Sequence, residues 1–243
     1  MKKLTQCFIL ILLAVFSAQC SDDYNDSDTE APQLTVTDAD GNIYNTITIG
    51  NQTWMLENLK TTKYNDGTPI TAYTFATHGN NWLNFNTPEA LYQWANTSDL
   101  NNVFDEELPF DYYGAMYNHL AIESGKLAPD GWRIPTVQDF VELQNYIANN
   151  GNSGNEATAL KSKLGWLSSS GNGTDLYNFK GLPNGYVNTL GGPTASELIS
   201  TWATIDFNSV DQTRKMVSLF DEATILYIDN SIKIGAAIRC IKE

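Results

Sequence analysis

The sequence predicts a single compact, loop-rich α+β domain in which two or three helices pack among short antiparallel strands. Short segments of β-branched and aromatic residues alternate with turn residues along most of the chain. One segment, which follows Thr136, has the N-cap and the apolar spacing of an amphipathic helix. Charged residues make up only 17% of the chain while Asn occurs 25 times, so neutral polar loops are expected to join the elements.

The first strands are predicted at residues 35–37 and 43–49, on either side of a turn rich in Asp, Gly and Asn. A third short strand follows Gly50-Asn51 and ends at Met55. The Asp spacing in the first turn is similar to that of a calcium loop, but such a loop needs Gly at its sixth position and a closing Glu. Asp40-Gly41 is therefore interpreted as a hairpin turn.

Three helices are predicted. A short one runs from Thr87, its N-cap, to Trp94. The clearest one starts after Thr136 and ends at Gly151, and a weaker one covers residues 156–164. The last third of the chain returns to β character, with strand candidates at residues 177–179, 185–187, 198–205, 216–220, 225–228 and 236–241.

Residues 1–19 have the order of a bacterial lipoprotein signal peptide: two lysines, a short apolar run and small residues before Cys20. We therefore expect Cys20 to carry the lipid, although Gln19 is an unusual residue before that cysteine. A plain signal peptide with a coincidental cysteine is the alternative. Residues 20–33 are acidic and poor in apolar side chains, as expected of a flexible tether. They are similar to the surface-export signal of Bacteroidetes lipoproteins, so we expect anchoring in a bacterial outer membrane, facing outwards, with the domain at residues 34–243.

Net charge and cysteine content exclude several partners and chemistries. Two of the 14 basic residues leave with the signal peptide, so 12 basic residues face 28 acidic ones, a net charge near −16. This charge argues against nucleic acid, and against membrane contact other than through the lipid. Once Cys7 is removed and Cys20 is lipidated, Cys240 has no cysteine to pair with, and its apolar neighbours predict a buried structural thiol.

A set of segments recurs in a fixed order along the domain. They are DGNIY (40–44), IGNQTWMLENLKTTKYNDGTPI (49–70), ALYQW (90–94), YGAMYN (113–118), APDGWRIPT (128–136), LPNGY (182–186) and AIRCIK (237–242). Together they resemble the Fibrobacter succinogenes major paralogous domain over residues 38–243. That family is similar to the C-type-lectin-like and formylglycine-generating-enzyme-like folds. The resemblance implies a domain whose two ends meet in a small antiparallel sheet, and it implies no shared activity. Val187 stands where the family usually has arginine, which puts a common ligand surface in doubt.

The chemistry of the lectin and oxidase relatives is not expected here. The oxidase needs a cysteine pair, and a calcium-dependent lectin needs a Glu-Pro-Asn or Gln-Pro-Asp loop that this chain lacks. His78 and His119 do not have zinc-ligand spacing, so they are interpreted as loop or packing residues. No metal, cofactor or catalytic residue is therefore predicted.

Aromatic residues beside polar side chains are the remaining signal. Carbohydrate sites combine an aromatic face with hydrogen-bonding groups. Trp82 with Asn84, and Tyr112 with Asp111, have this pattern, although local packing would also explain them.

The sequence thus favours a non-catalytic surface lipoprotein that binds a glycan or a protein. An enzyme that cuts envelope polysaccharide with two of the acids Asp105, Glu106, Glu107 and Asp111 is the first alternative. A structural envelope or fimbrial component is the second.

Overall fold

The computed structural model describes residues 34–97, 108–167 and 171–243. In these residues the chain is mostly β, with 14 strands in three sheets, and only 15% of it is helical. The predicted loop-rich α+β class is therefore wrong. Many segments between turns form two- to four-residue strands, because they pair with distant strands that local sequence patterns cannot reveal.

Fourteen strands lie within the described residues. They are β1 (Thr35–Thr37), β2 (Ile43–Ile49), β3 (Gln52–Met55), β4 (Thr71–Ala72), β5 (Leu91–Trp94), β6 (Ala115–Tyr117), β7 (Trp132–Arg133), β8 (Tyr186–Val187), β9 (Pro193–Thr194), β10 (Ser200–Asn208), β11 (Thr213–Leu219), β12 (Leu226–Ser231), β13 (Ala236–Ala237) and β14 (Ile241–Lys242). The helices are α1 (Phe75–His78), α2 (His119–Glu123), α3 (Val137–Ile147) and α4 (Glu156–Leu160), and a π-helical turn (Ala148–Asn152) follows α3.

The first sheet joins the two ends of the domain. Its strand order is β1-β2-β3-β14-β7. Ile241 of β14 lies opposite both Trp54 of β3 and Arg133 of β7, antiparallel to each. The last strand of the chain therefore closes the sheet that the first strands begin.

The second sheet holds most of the remaining strands, in the order β12-β11-β10-β13-β6-β5-β4. The pairs β10–β13 and β4–β5 are parallel, and the others are antiparallel. A third, two-stranded sheet pairs β8 with β9. This small sheet presents the loop that follows Thr194.

Two buried clusters stabilise these sheets. In the first, Trp54 packs against Phe140 and Phe179, with ring centroids 4.9 and 5.9 Å apart. The second contains Tyr44 and Tyr117 among apolar side chains. All five side chains are almost entirely buried, and each buried large side chain contributes about 1.5 to 3 kcal/mol.

The helix predictions had mixed outcomes. The helix after Thr136 is confirmed as α3, and Asp139 completes a capping box with Thr136. The helix predicted from Thr87 to Trp94 is wrong, because residues 91–94 form β5 and pair with β6. The weaker helix ends at Leu160 rather than at residue 164.

Most strand predictions are confirmed. The strands at residues 35–37, 43–49 and 52–55 match β1, β2 and β3, and β8 and β10 to β14 overlap the strands predicted from residue 185 onwards. The strand predicted at residues 177–179 is wrong, because the chain turns there. The described residues belong to one compact unit, Gln33–Glu243. Among them, no helix is long and apolar enough to cross a membrane.

Candidate functional site

A largely apolar groove of about 360 Å³ contains the predicted site residue Tyr112. We call it the Tyr112 groove. Its described lining consists of Leu56, Glu57, Asn58, Lys60, Tyr112, Tyr113, Ser162, Lys163, Leu164, Lys180 and Leu182. These residues come from four separate parts of the chain, so no local sequence pattern could have brought them together.

Asn58 fixes the floor of the groove. Its Nδ2 donates to the Tyr113 carbonyl at 2.9 Å, and its Oδ1 accepts from Trp202 Nε1 at 2.7 Å and from Arg239 Nε at 3.1 Å. Arg239 is fully buried and also donates to the carbonyls of Phe179 and Lys180. One amide thus ties the groove floor to the buried guanidinium and to the central tryptophan.

Tyr112 and Tyr113 form a wall of the groove, and Gly114 allows this wall to approach Asn58 on the floor. Its φ is +82°, and a Cβ there would lie 2.6 Å from the Cβ of Asn58. Only glycine therefore fits this close approach. The rings of Tyr112 and Tyr113 meet edge to face with centroids 5.0 Å apart, which favours a fixed orientation of the wall.

The groove carries unbalanced positive charge. Lys60 Nζ is paired with Asp111 Oδ2 at 2.9 Å. Glu57 accepts hydrogen bonds from the backbone and the side chain of Asn45. Lys163 and Lys180 are both exposed, and within the described ranges neither has a carboxylate within 4 Å. Two ammonium groups therefore stand beside an aromatic and aliphatic wall.

The structure separates the predicted site residues into two places. Asp111 and Tyr112 lie at the groove, as a pair. Asn84 lines a different, smaller cavity together with His78, and its Oδ1 accepts from the Asn86 backbone. Trp82 is 0% exposed. Its ring therefore has no free face on which a sugar could stack.

Trp82 is held in that buried position by close packing. Its ring meets the Tyr73 ring edge to face at 5.4 Å. A Cβ at Gly235 would lie 2.6 Å from Trp82 Cζ2, so the indole lies directly against that backbone. Sequence pattern alone could not distinguish this packing from an exposed platform, because both put an aromatic residue among asparagines.

His78, His119 and Cys240 each contact other protein groups or lie buried among them. His119 is buried and accepts a hydrogen bond from Arg214 Nη2 at 3.0 Å, so its ring is neutral there. Burial, and then the positive charge of Arg214, lower the pKa of His119. The His78 ring stacks on Tyr73 at 5.3 Å. Cys240 is buried, as the sequence predicts, and burial raises the pKa of its thiol.

Metal chemistry has no obvious location in the part of the chain that the structure describes. There, no group of three His, Cys, Asp or Glu side chains is close enough to hold an ion. Asp38 and Asp40 of the first turn are engaged within the protein instead, with Asp38 on Tyr44 and Asp40 on Thr62 and Lys63. The lipid-attachment candidate Cys20 and the acidic candidates Asp105, Glu106 and Glu107 lie outside the described residues.

Comparison with known proteins gives one match. A family model described as the Fibrobacter succinogenes major domain matches residues 47–242. No curated protein and no solved structure matches the chain. The match covers the first core cluster, all buried residues of the second except Tyr44, and every described residue that lines the groove.

Proposed function

The chain belongs to the Fibrobacter succinogenes major domain family, and on that premise we propose that it is a non-catalytic binding protein whose Tyr112 groove holds an acidic glycan. The observation that carries this proposal is the juxtaposition of an aromatic wall with two lysines, Lys163 and Lys180, that pair with no carboxylate among the described residues. Stacking on Tyr112 would accept the apolar face of a sugar ring. Lys163 and Lys180 would bind a carboxylate or sulfate on it.

Charge supports an acidic glycan over a neutral one. The whole chain has a net charge of −14, so an anionic ligand is repelled by most of its surface. At the groove, Lys60 and Asp111 neutralise each other, and Lys163 and Lys180 outweigh the single remaining carboxylate, Glu57, so a net positive charge remains. An anionic ligand is therefore attracted at the groove and repelled by most of the remaining surface.

The state of the carboxylates supports binding rather than catalysis. A glycosidase needs two carboxyl groups, one of them positioned as an acid or base on the scissile bond. Asp111 is paired with a lysine, and both oxygens of Glu57 accept hydrogen bonds from Asn45. Both of these carboxylates are therefore already engaged by protein groups.

We also propose that the domain is displayed on the cell surface by a lipid on Cys20. The signal-like residues 1–19 and the acidic residues 20–33 support this part of the proposal. A flexible tether would let the groove reach polymers beyond the membrane. Mass spectrometry of the chain from membranes would test it, and an unmodified Cys20 would contradict it.

The binding proposal is tested by titrating the full chain with polygalacturonate, heparin and a neutral glucan. We expect binding to at least one of the two anionic polymers, none to the glucan, and weaker binding as salt rises. The double variant K163Q/K180Q should bind at least about tenfold more weakly, since charge-assisted hydrogen bonds contribute about 1.5 kcal/mol or more each. Lys233→Gln is the matched control, because Lys233 is a lysine outside the groove.

Two outcomes would contradict the proposal. Equal loss in the Lys233→Gln control would mean that net charge, not the groove, governs binding. Binding to neither polymer would remove the glycan hypothesis. New reducing ends in the polymer after incubation would favour the enzyme alternative instead.

A further inference from the structure

A second cavity lies on the other side of Tyr113 and has a different chemistry. Its volume is about 270 Å³. Tyr113 lines both this cavity and the groove. The other polar residues that line the cavity are Asn96, Thr97, Thr194, Ser196 and Glu197, of which only Glu197 carries a carboxylate. We call it the Ser196 cavity.

The loop that forms one wall of this cavity is held in a strained conformation. Ala195 and Glu197, on either side of Ser196, have φ of +59° and +69°. Side-chain-bearing residues rarely adopt such values, because the conformation is strained, and they keep it only where the surroundings impose it.

The surroundings do impose this conformation. Glu197 N donates to the Pro183 carbonyl at 2.8 Å, and the Glu197 carbonyl accepts from Leu167 N at 2.9 Å. Gly185 has φ +69°, and a Cβ there would lie 2.3 Å from the Thr194 carbonyl oxygen. Hydrogen bonds thus hold the loop on two sides, and its backbone lies so close to Gly185 that only glycine fits there.

Two hydroxyls at the cavity lack hydrogen-bond partners among the described residues. They are the OH of Tyr113, which is 1% exposed, and the buried Oγ of Ser196. Buried polar groups are nearly always paired, and leaving one unpaired destabilises the fold. Burial, and then the negative charge of Glu197, raise the pKa of Tyr113, so its phenol keeps the proton that it can donate.

We infer that the Ser196 cavity binds a single neutral sugar unit. The unpaired hydroxyls of Tyr113 and Ser196, with the hydroxyl-bearing Thr97 and Thr194 beside them, match the hydroxyls of a sugar. A volume just below the range of about 300 to 1,000 Å³ for drug-sized ligands suits one ring rather than a chain. The proposal does not rest on the acidic glycan in the groove, because the two sites share only Tyr113 and differ in charge.

The test compares two Tyr→Phe changes in the full chain. Tyr113→Phe removes an unpaired hydroxyl, so the melting temperature should stay the same or rise by about 2 to 4 °C. Tyr227→Phe is the control, because its OH donates to Gln144 at 2.8 Å and its loss should lower the melting temperature by a similar amount. Ser196→Ala is the second variant at the cavity and should behave as Tyr113→Phe does.

Binding is then measured by nuclear magnetic resonance titration with glucose, galactose, mannose and N-acetylglucosamine. At least one should shift the signals of Ser196 and Thr97 in the wild type. Tyr113→Phe and Ser196→Ala should each weaken that binding about tenfold, while Tyr227→Phe should not. No shift with any sugar, or a lower melting temperature in both cavity variants, would overturn the inference and leave the groove proposal unaffected.

Discussion

Replacing Asn58 with alanine is expected to destabilise the domain more than any other exchange of a polar side chain at the groove. Asn58 is buried and makes three side-chain hydrogen bonds, to the Tyr113 carbonyl, Trp202 Nε1 and Arg239 Nε. The alanine variant leaves all three partners unpaired. At about 1 to 3 kcal/mol for each of the three groups, the loss is about 3 to 9 kcal/mol, and the charged guanidinium places it above the lower end.

This loss is large relative to the stability of a domain, which is about 5 to 15 kcal/mol. Urea unfolding followed by tryptophan fluorescence measures it, since Trp54 and Trp202 are fully buried. The melting temperature should fall by at least about 6 °C, at about 2 to 4 °C for each kcal/mol lost. The exposed Asn86 provides the control: Asn86→Ala should change the free energy of unfolding by less than about 0.5 kcal/mol.

Asn58→Asp separates the contribution of the acceptor from that of the donor. A carboxylate can still accept from Trp202 and Arg239, and only the donor to Tyr113 is lost. We expect this variant to be less destabilised than Asn58→Ala. An alanine variant that loses less than about 1 kcal/mol, or an aspartate variant that is the less stable of the two, would refute the central role given to this amide.

Three further predictions follow from local geometry. Burial opposes ionisation of Asp139, but hydrogen bonds from Arg133 and Thr136 outweigh it and lower the pKa of Asp139 below 3.8. The free energy of unfolding should therefore fall as the pH drops from 3.8 towards the lowered pKa, and it should fall less in Asp139→Asn. Gly185→Ala should lower the free energy of unfolding by about 1 to 3 kcal/mol in urea, because of its positive φ and its contact with Thr194. Iodoacetamide should leave Cys240 unmodified in the native chain and modify it in urea, as peptide mass spectrometry can show.

Local signals in the sequence found the elements that depend on local chemistry. The helix after Thr136 could be predicted because its N-cap and Asp139 form a box four residues long. The first hairpin could be predicted because Asp40-Gly41 favours a turn. Both signals are independent of the rest of the fold.

Elements that depend on distant partners could not be found in this way. Residues 91–94 look like a helix face, yet they form β5 because β6, more than 20 residues further on, pairs with them. The fold class was wrong for the same reason, since the short strands gain their stability from the sheet.

The candidate site was found in part. Tyr112 and Asp111 were recognised as a sequence pair because they are adjacent. Lys163 and Lys180, which give the groove its charge, lie far along the chain and carried no signal. Trp82 had the same local pattern as Tyr112, and only its burial in the fold distinguishes the two.

The most direct test of the central claim is to locate the bound ligand on the protein. Isotope-labelled full chain would be titrated with a short galacturonate oligomer, and amide shifts would be followed residue by residue. We expect the largest changes at Tyr112, Lys163 and Lys180, with saturation that weakens as salt rises. Changes centred on Asn84, or saturable binding that leaves all three groove residues unmoved, would contradict the claim that the Tyr112 groove is the glycan site.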